Sequence, residues 1–519
     1  MKKLSAFVLV LALLMTFTAC GASPAPDPYG DAVDIILSDD GVTVEGAEES
    51  AVYTANDIIY YEEGHDFTYG EGEAGDAHSA AEAAEHTVVH IAKAGTYRLS
   101  GTLSRGQIAV DLGDEAEADP NAVVTLILHG VDITCTVAPA IMFYHVYECG
   151  DSDNPTKDVD TSAAGANILL AEGSTNTVHG AYVARIYKPE TVVLNEEGTA
   201  VEDAKKLHKY DGAVYSKMTM NVGGEGSLDI FAENEGLDTE LHLTINGGNI
   251  HIFSGNDGIN TNEDGVSVTT INGGSVNITV TGTTGEGDGI DSNGWLVING
   301  GAVTAQACAN SADAGIDSDM GIHINGGTVC ASGHMLDRIE EGGQTYAVFT
   351  FRDRQQGEIT LKDAAGEVVA TAAPENDYSI LIFSTPAMTE GTYALWRGEE
   401  QLSVMQGGGM GGFGGMMRPE GTMPEDFVPP EGLEMGEPPV DGERPQPPEG
   451  MEFPADMTPP EGFEMPEGMT PPEGFDGVNG AAPPQRPNGD RGNMGAQVLG
   501  ESAVEFTLAA GGNMLTVDS

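Results

Sequence analysis

The sequence predicts an all-β protein whose main body is a right-handed parallel β-helix, and three observations predict it. First, Ile245-Asn246-Gly247-Gly248 returns as Ile271-Asn272-Gly273-Gly274, Ile298-Asn299-Gly300-Gly301 and Ile324-Asn325-Gly326-Gly327, with Asn221-Val222-Gly223-Gly224 as a diverged earlier copy. The four Asn positions are 26, 27 and 26 residues apart. Second, each copy follows a companion motif: Gly236-Leu237-Asp238-Thr239, Asp257-Gly258-Ile259-Asn260-Thr261, Asp288-Gly289-Ile290-Asp291-Ser292 or Gly315-Ile316-Asp317-Ser318. Asp238, Asp291 and Asp317 each stand 8 residues before their Asn, and Asn260 stands 12 before its own. Third, the residues between alternate apolar and polar, as in Leu241, Leu243 and Ile245, a period of two that marks short strands. With inserts near Glu263–Val266, Thr281–Glu286 and Ala309–Ala314 removed, the repeat is about 22 residues, the length of one stacked supersecondary unit.

The Asn-Gly-Gly is read as the corner of each coil, because Gly, and Asn more readily than other residues, accepts positive φ. Stacked Asn side chains would hydrogen-bond along the ladder. Cys308 and Cys330 are one bare period apart, which would place them on adjacent coils as small buried residues or as a disulfide. Cys135 and Cys149 complete the set, and none of the four has the CxxC spacing of a zinc site.

In chain order, Lys2-Lys3, the apolar run Leu4–Phe17 and Thr18-Ala19-Cys20 read as a signal peptide over residues 1–20. The small residues before Cys20 resemble a lipoprotein cleavage box, which would make Cys20 the lipidated first residue of an extracellular, cell-surface protein; ordinary secretory cleavage near Ala19 is the alternative. Residues 21–33 form a Pro-containing tether. Strand patterns then run from 34 to 333, including Ala94–Leu103, Val123–Leu128, Ala140–Phe143 and Asn167–Leu170. The segment Ala181–Tyr210 carries Arg185, Lys188, Lys205, Lys206 and Lys209 and reads as a solvated inserted loop. Residues 334–406 and 499–519 read as a small β unit that caps the open end of the solenoid. Between them, 407–498 is rich in Gly, Pro, Met and Glu, with Pro-Pro-Glu-Gly starting at Pro429, Pro447, Pro459 and Pro471; such a composition predicts disorder.

Charge narrows the partners. Lys and Arg total 21 against 82 Asp and Glu, a formal net charge of −61. Nucleic-acid binding requires basic faces and is excluded as an expectation. Stacking the repeats places Asp238, Asn260, Asp291 and Asp317 in one column, with coils about 4.8 Å apart. Like charges at that spacing destabilise a sheet. Asp257, Asp288 and Asp313, with Asn262, Asn293 and Asp319, add oxygen nearby. A hard cation reconciles this concentration with a stable fold, and an oxygen-only set without His or Cys selects Ca2+ over zinc. The alternative is that the Asp-Gly pairs are turn residues and nothing more. Calcium on an extended repetitive face suits an extended acidic polymer. Trp295 and His242 each lie four residues after their Asp, on one column read as outward-facing; with Tyr215, which fits less well, they are the candidate sugar-stacking residues.

These strands, the turn His129-Gly130-Val131-Asp132, Gly212-Ala213-Val214-Tyr215-Ser216-Lys217 and the two repeat columns together resemble the clostridial carbohydrate-binding β-helix lipoprotein family. The resemblance covers about Ile35–Gly333 and the capping unit. It implies a calcium-bearing parallel β-helix that binds plant cell-wall polysaccharide, notably acidic polygalacturonate, with cellulose as a second ligand. The family in turn resembles the pectate lyases of polysaccharide lyase family nine. A lyase needs a base beside the metal, usually Lys or Arg, and neither occurs between Gly223 and Gly333; Lys217 lies on the first coil and Arg338 past the last. The expectation is therefore binding without catalysis, with a calcium-assisted polyuronate lyase and a protein-binding surface adhesin as alternatives.

Overall fold

The structure is a computed structural model that describes residues 29–46, 50–406 and 502–518. The stretch read as a signal peptide, with Cys20, most of the stretch read as a tether, and the low-complexity segment lie outside the described residues. What is described is nearly all-β, in large and mostly parallel sheets.

The full repeats contribute three strands, each paired in parallel with its equivalent in the next repeat; the last repeat contributes two, its Gly315–Ser318 forming no strand. The first stack runs through Thr87–Ile91, Gly106–Asp111, Ile141–His145, Gly212–Ser216, Glu235–Thr239, Ile259–Thr261 and Ile290–Ser292. The second includes Met220–Gly224, Leu243–Ile245, Val268–Ile271, Trp295–Ile298 and Gly321–Ile324. The third runs through Thr175–Gly180, Ser227–Ala232, Asn249–Ser254, Ser275–Val280, Ala302–Gln306 and Thr328–Gly333. The alternating apolar residues supply the reason. Leu237, Leu243, Ile245, Ile250 and Ile252 of one repeat are fully buried, and so are their register partners Ile259, Thr269, Ile271, Val276 and Ile278. A single repeat could not bury these side chains alone; its neighbours cover them.

The corners behave as their chemistry requires. Gly274 has φ of +82°, and a Cβ there would stand 2.5 Å from the Gly248 carbonyl oxygen, so only glycine fits. Beside it the Asn side chains form a ladder: Asn272 donates to Asn246 at 2.9 Å, Asn299 to Asn272 at 2.9 Å and Asn325 to Asn299 at 2.8 Å. The ladder is exposed, so each bond is modest. We expect Asn299→Ala, which breaks two of them, to lower stability by about 1 kcal/mol in denaturant unfolding; an unchanged midpoint would remove any stabilising role for the ladder.

The cysteine expectation is corrected. Cys330 pairs in register with Thr304, while Cys308 lies beyond the end of the Ala302–Gln306 strand, and both are free thiols. The insert at 309–314 lengthens that repeat, so 22 residues no longer equals one step along the stack. The inserted basic loop is also not simply solvated: Lys206 meets Glu71 at 2.8 Å, Arg185 approaches Asp211 at 3.7 Å and Lys209 approaches Glu240 at 3.8 Å.

After Gly333 a second apolar core begins, built on Phe349, Phe351, Tyr378, Leu381, Phe383, Leu395, Phe506 and Val517. Its strand Tyr378–Ser384 pairs antiparallel with Thr328–Gly333, the last strand of the third stack. The C-terminal strand Gly512–Asp518 lies parallel to Tyr346–Gln355.

Candidate functional site

The first stack and the turns that follow it carry three aligned columns of polar side chains. In the central column Tyr215, Asp238, Asn260 and Asp291 are successive register partners, and Asp317 continues it through its N–H, which donates to the Ile290 carbonyl at 2.7 Å. Three residues earlier in each repeat stand Glu235, Asp257 and Asp288. Two residues later stand Lys217, Glu240, Asn262, Asn293 and Asp319, each tied by its N–H to the preceding rung.

At one end the acids converge. Ligand oxygens of Asp288, Asp291 and Asp317 all lie within 4.8 Å of one another, the one such group of three among the described residues. Burial and neighbouring charge leave these carboxyls reluctant to ionise. Asp288 is pushed up to about 9 by burial and by Asp257 and Asp317. Asp291 is raised to about 7 by burial, Asp257 and Asp319, and Asp317 to about 7 by burial, Asp337 and Asp291. Asp257 reaches about 7 through burial. Backbone donors fix the geometry: Asp257 Oδ1 accepts the Asp288 N–H at 2.6 Å, and Asp288 Oδ1 accepts the Ala314 N–H at 2.5 Å.

Two rungs away the same columns are deeply buried. Asp238 is fully enclosed and Glu235 nearly so; burial first, then Asp238, Asp211 and Asp257 raise Glu235, and burial, Asp211 and Glu240 raise Asp238. Asn262 donates to Asp238 Oδ1 at 2.6 Å, and Asn260 donates to Glu235 Oε1 at 3.2 Å. The second oxygens, Glu235 Oε2 and Asp238 Oδ2, and Asn260 Oδ1 find no hydrogen-bond partner among the described residues. Buried oxygens of this kind cost free energy when unmatched.

The residues present fit a hard cation. The converging ligands are oxygen only, and a spacing up to 4.8 Å spans an ion that takes oxygens at about 2.3–2.6 Å. Of the sequence-selected ligands, Asp288, Asp291 and Asp317 come together, Asp257 stands beside them, and Asp238 and Asn260 lie further along the columns. Asp319 is exposed at the rim. Asp313 is engaged elsewhere, its Oδ2 accepting the Gly287 N–H at 2.6 Å and the Ser311 hydroxyl. Glu235 and Asp337 were not selected from sequence. Glu235 opens Glu235-Gly236-Leu237-Asp238 where the next repeats have Asp257-Gly258 and Asp288-Gly289, so treating Glu as equivalent to Asp would have found it. Asp337 comes from beyond the last repeat, and its Oδ2 accepts the Ser318 N–H at 3.1 Å.

The aromatic expectation is corrected in two of three positions. Tyr215 belongs to the Asp column, is 2% exposed and donates its hydroxyl to Glu240 at 3.2 Å. His242 is also 2% exposed. Neither ring can meet a sugar face. Both follow or enter tight turns, where strand alternation no longer tells inside from outside. Trp295 remains half-buried at the surface, with Gly321 as its neighbour in the next rung.

The parallel stacks thus present a repetitive face lined with oxygen atoms. Residues 85–335 match the family model described as carbohydrate-binding domain-containing protein, so the resemblance read from the motifs holds for that segment. A carbohydrate-binding domain-containing protein of Acetivibrio thermocellus is 32% identical over 165 residues, which are 32% of this chain and 44% of the relative. The chain thus spans less than half of that relative's length. A solved structure described as the polysaccharide lyase-like protein from C. thermocellum, gadolinium derivative, aligns over 57% of this chain and 89% of its own, with 22% identity and a TM-score of 0.34.

Proposed function

We propose that this chain is a right-handed parallel β-helix that binds an acidic, polygalacturonate-like polysaccharide through calcium on its acidic face, without turning the polymer over. The helix reading extends the rung-by-rung parallel pairing of three successive strands per full repeat, closed by a capping unit over 334–406 and 499–519. The segment match to carbohydrate-binding domains supports a polysaccharide ligand. The observation that carries the calcium reading is the convergence of Asp288, Asp291 and Asp317. A chain of net charge −61 repels a polyanion. A cation held by those carboxylates reverses the sign locally, and an ion with more coordination positions than the protein fills accepts sugar carboxylates in the rest. Trp295, near the same turns, would supply a ring for stacking. Export as a lipoprotein through Cys20 would place the surface outside the cell, facing plant cell-wall material.

The absence of turnover rests on where the two candidate bases stand: Arg338, past the last repeat, is paired with Glu340 at 2.7 Å and donates to the Met320 carbonyl at 2.9 Å. Lys217 is three rungs from Asp291, about 14 Å at 4.8 Å per rung. Its Nζ is bound to Glu117 Oε1 at 2.7 Å and lies 5.0 Å from the Tyr144 ring centroid. It is too far to take a proton from a sugar whose carboxylate sits on an ion at Asp291.

Retention on insoluble polygalacturonate is the test. The wild-type protein is expected to bind in calcium and elute with chelator. Asp291→Asn should weaken binding in calcium by about tenfold or more, because it removes one charged ligand from the centre of the cluster. Equal retention of wild type with and without chelator would refute the mechanism, and release of ultraviolet-absorbing unsaturated oligosaccharides would establish the lyase alternative instead.

A further inference from the structure

The outer face of the third stack carries a ladder of rings that the acidic face does not use. His179, Phe231 and Phe253 are successive register partners on Thr175–Gly180, Ser227–Ala232 and Asn249–Ser254. Their rings are stacked, with centroids 4.6 and 5.3 Å apart and planes within 10° and 8°. Phe231 is 39% exposed and Phe253 37%, a large share for phenyl rings in water. Then the ladder loses a rung. The partner of Phe253 is Thr279, and the partner of Thr279 is Gln306. Gln306 closes the far side: it is buried, donates to Thr279 Oγ1 at 3.3 Å and accepts the Glu375 N–H at 2.7 Å. One position, above Thr279, is left between a phenyl face and a polar wall, across two rungs or about 9.6 Å of stack.

We propose that this missing rung binds one ring of a neutral sugar chain, stacked on the open face of Phe253. A pyranose has a face of C–H groups and a rim of hydroxyls. The C–H face complements the negative face of the phenyl quadrupole, at the separations at which the ladder's own rings already stack. The rim meets the adjoining column, where Asp229, His251, Asn277 and Thr304 follow one another in register. His251 Nδ1 and Asp229 Oδ1 are already paired there at 2.7 Å. The ligand is neutral because Asp229 is beside the rings and no Lys or Arg occurs between Gly223 and Gly333 to receive an anion. The patch is three rings bounded by polar columns, far below the roughly 800 Å2 per partner of a stable protein interface.

The inference shares with the proposed function only the class of ligand, and it uses none of the acidic columns. It is therefore tested with chelator present. Native electrophoresis of the full chain through gels containing a soluble mixed-linkage β-glucan, an arabinoxylan or a galactomannan should show retardation of wild type by at least one. Phe253→Ala, which removes the platform, should weaken that retardation about tenfold. Thr279→Phe restores the missing rung with the chain's own ring and should weaken it as much. The variant also gives up the Gln306 bond to Thr279 Oγ1, so its melting temperature is measured alongside, and an unchanged value would show that the loss is not unfolding. Failure of all three polysaccharides to retard wild type, or full retardation of Thr279→Phe, would overturn the site. Calcium-dependent retention of Thr279→Phe on polygalacturonate reports separately on the acidic face.

Discussion

Calcium added to chelator-treated protein is expected to raise its melting temperature substantially, and magnesium to raise it less. A ligand that binds only the folded state stabilises by an amount set by its concentration relative to Kd, about 4 kcal/mol at a thousandfold excess. The acids that converge at Asp288, Asp291 and Asp317 repel one another when ionised and unliganded. An ion bound there would remove that repulsion. Magnesium demands a smaller and more regular octahedron and loses its water reluctantly, so this irregular cluster suits it poorly. The diagnostic variant is Asp288→Asn, which keeps the oxygen that accepts the Ala314 N–H and replaces the ionisable second oxygen by an NH2 group that cannot bind a cation. In chelator it should be more stable than wild type, and in excess calcium less stable. Thermal unfolding of the four samples decides the matter; a wild-type midpoint indifferent to calcium would eliminate the cation site.

Acidification should stabilise the metal-free protein and weaken its hold on calcium over one pH window. Asp257, Asp291 and Asp317 have folded values near 7 and Asp288 near 9, all above the ordinary range near 4. Between about 4 and those values the unfolded chain is ionised while the folded chain keeps its protons. The folded state then binds more protons, so its stability is full below the unfolded value and is lost as pH rises through the folded ones. Calcium requires the ionised carboxylates, so its apparent affinity should fall by up to about tenfold per pH unit for each proton displaced. Carboxyls shifted the other way do not interfere. Asp39, Asp66 and Asp160 are held below their usual values by hydrogen bonds from Ser104, Thr68 and Ser162, so they titrate below this window. Histidines lowered by burial, His208 to about 4 and His242, His323 and His334 below their usual value, gain stability as pH rises toward about 6.5, so the test lies above it: urea midpoints in chelator from about pH 6.5 to 9 should decline, and the decline should be shallower in Asp288→Asn. A midpoint that climbs with pH would show that the cluster is not strained by its own charge.

The parts of this architecture legible in the sequence are those that depend on spacing. Asn246, Asn272, Asn299 and Asn325 stack because their separations carry whole repeats. Asp238, Asp291 and Asp317 fall on one column because each keeps the same distance to its Asn. The two misplaced rings, Tyr215 and His242, lie where a strand meets a turn, and there the alternation that sorts inside from outside stops. The His179–Phe231–Phe253 ladder escaped notice for another reason. The long insert at 181–210 separates His179 from Phe231 and hides the one-rung step between them. The two cysteines one bare period apart failed conversely, because the insert at 309–314 shifted the register they were counted against.

The sequence by itself therefore determined the strand period, the corners and which acids share a column, since each follows from local φ preference, alternation and a conserved count within the chain. Only the tertiary structure decided which carboxylates meet. Asp288 and Asp291 are three residues apart on one rung, while Asp317 and Asp337 arrive from the next rung and from beyond it. Their convergence depends on inter-rung distance and on the direction of each side chain at a turn. It also decided that Asp238 and Glu235 are sealed from water while Asp319 is open to it. Burial is a property of what neighbouring rungs cover, and a single repeat does not contain that information.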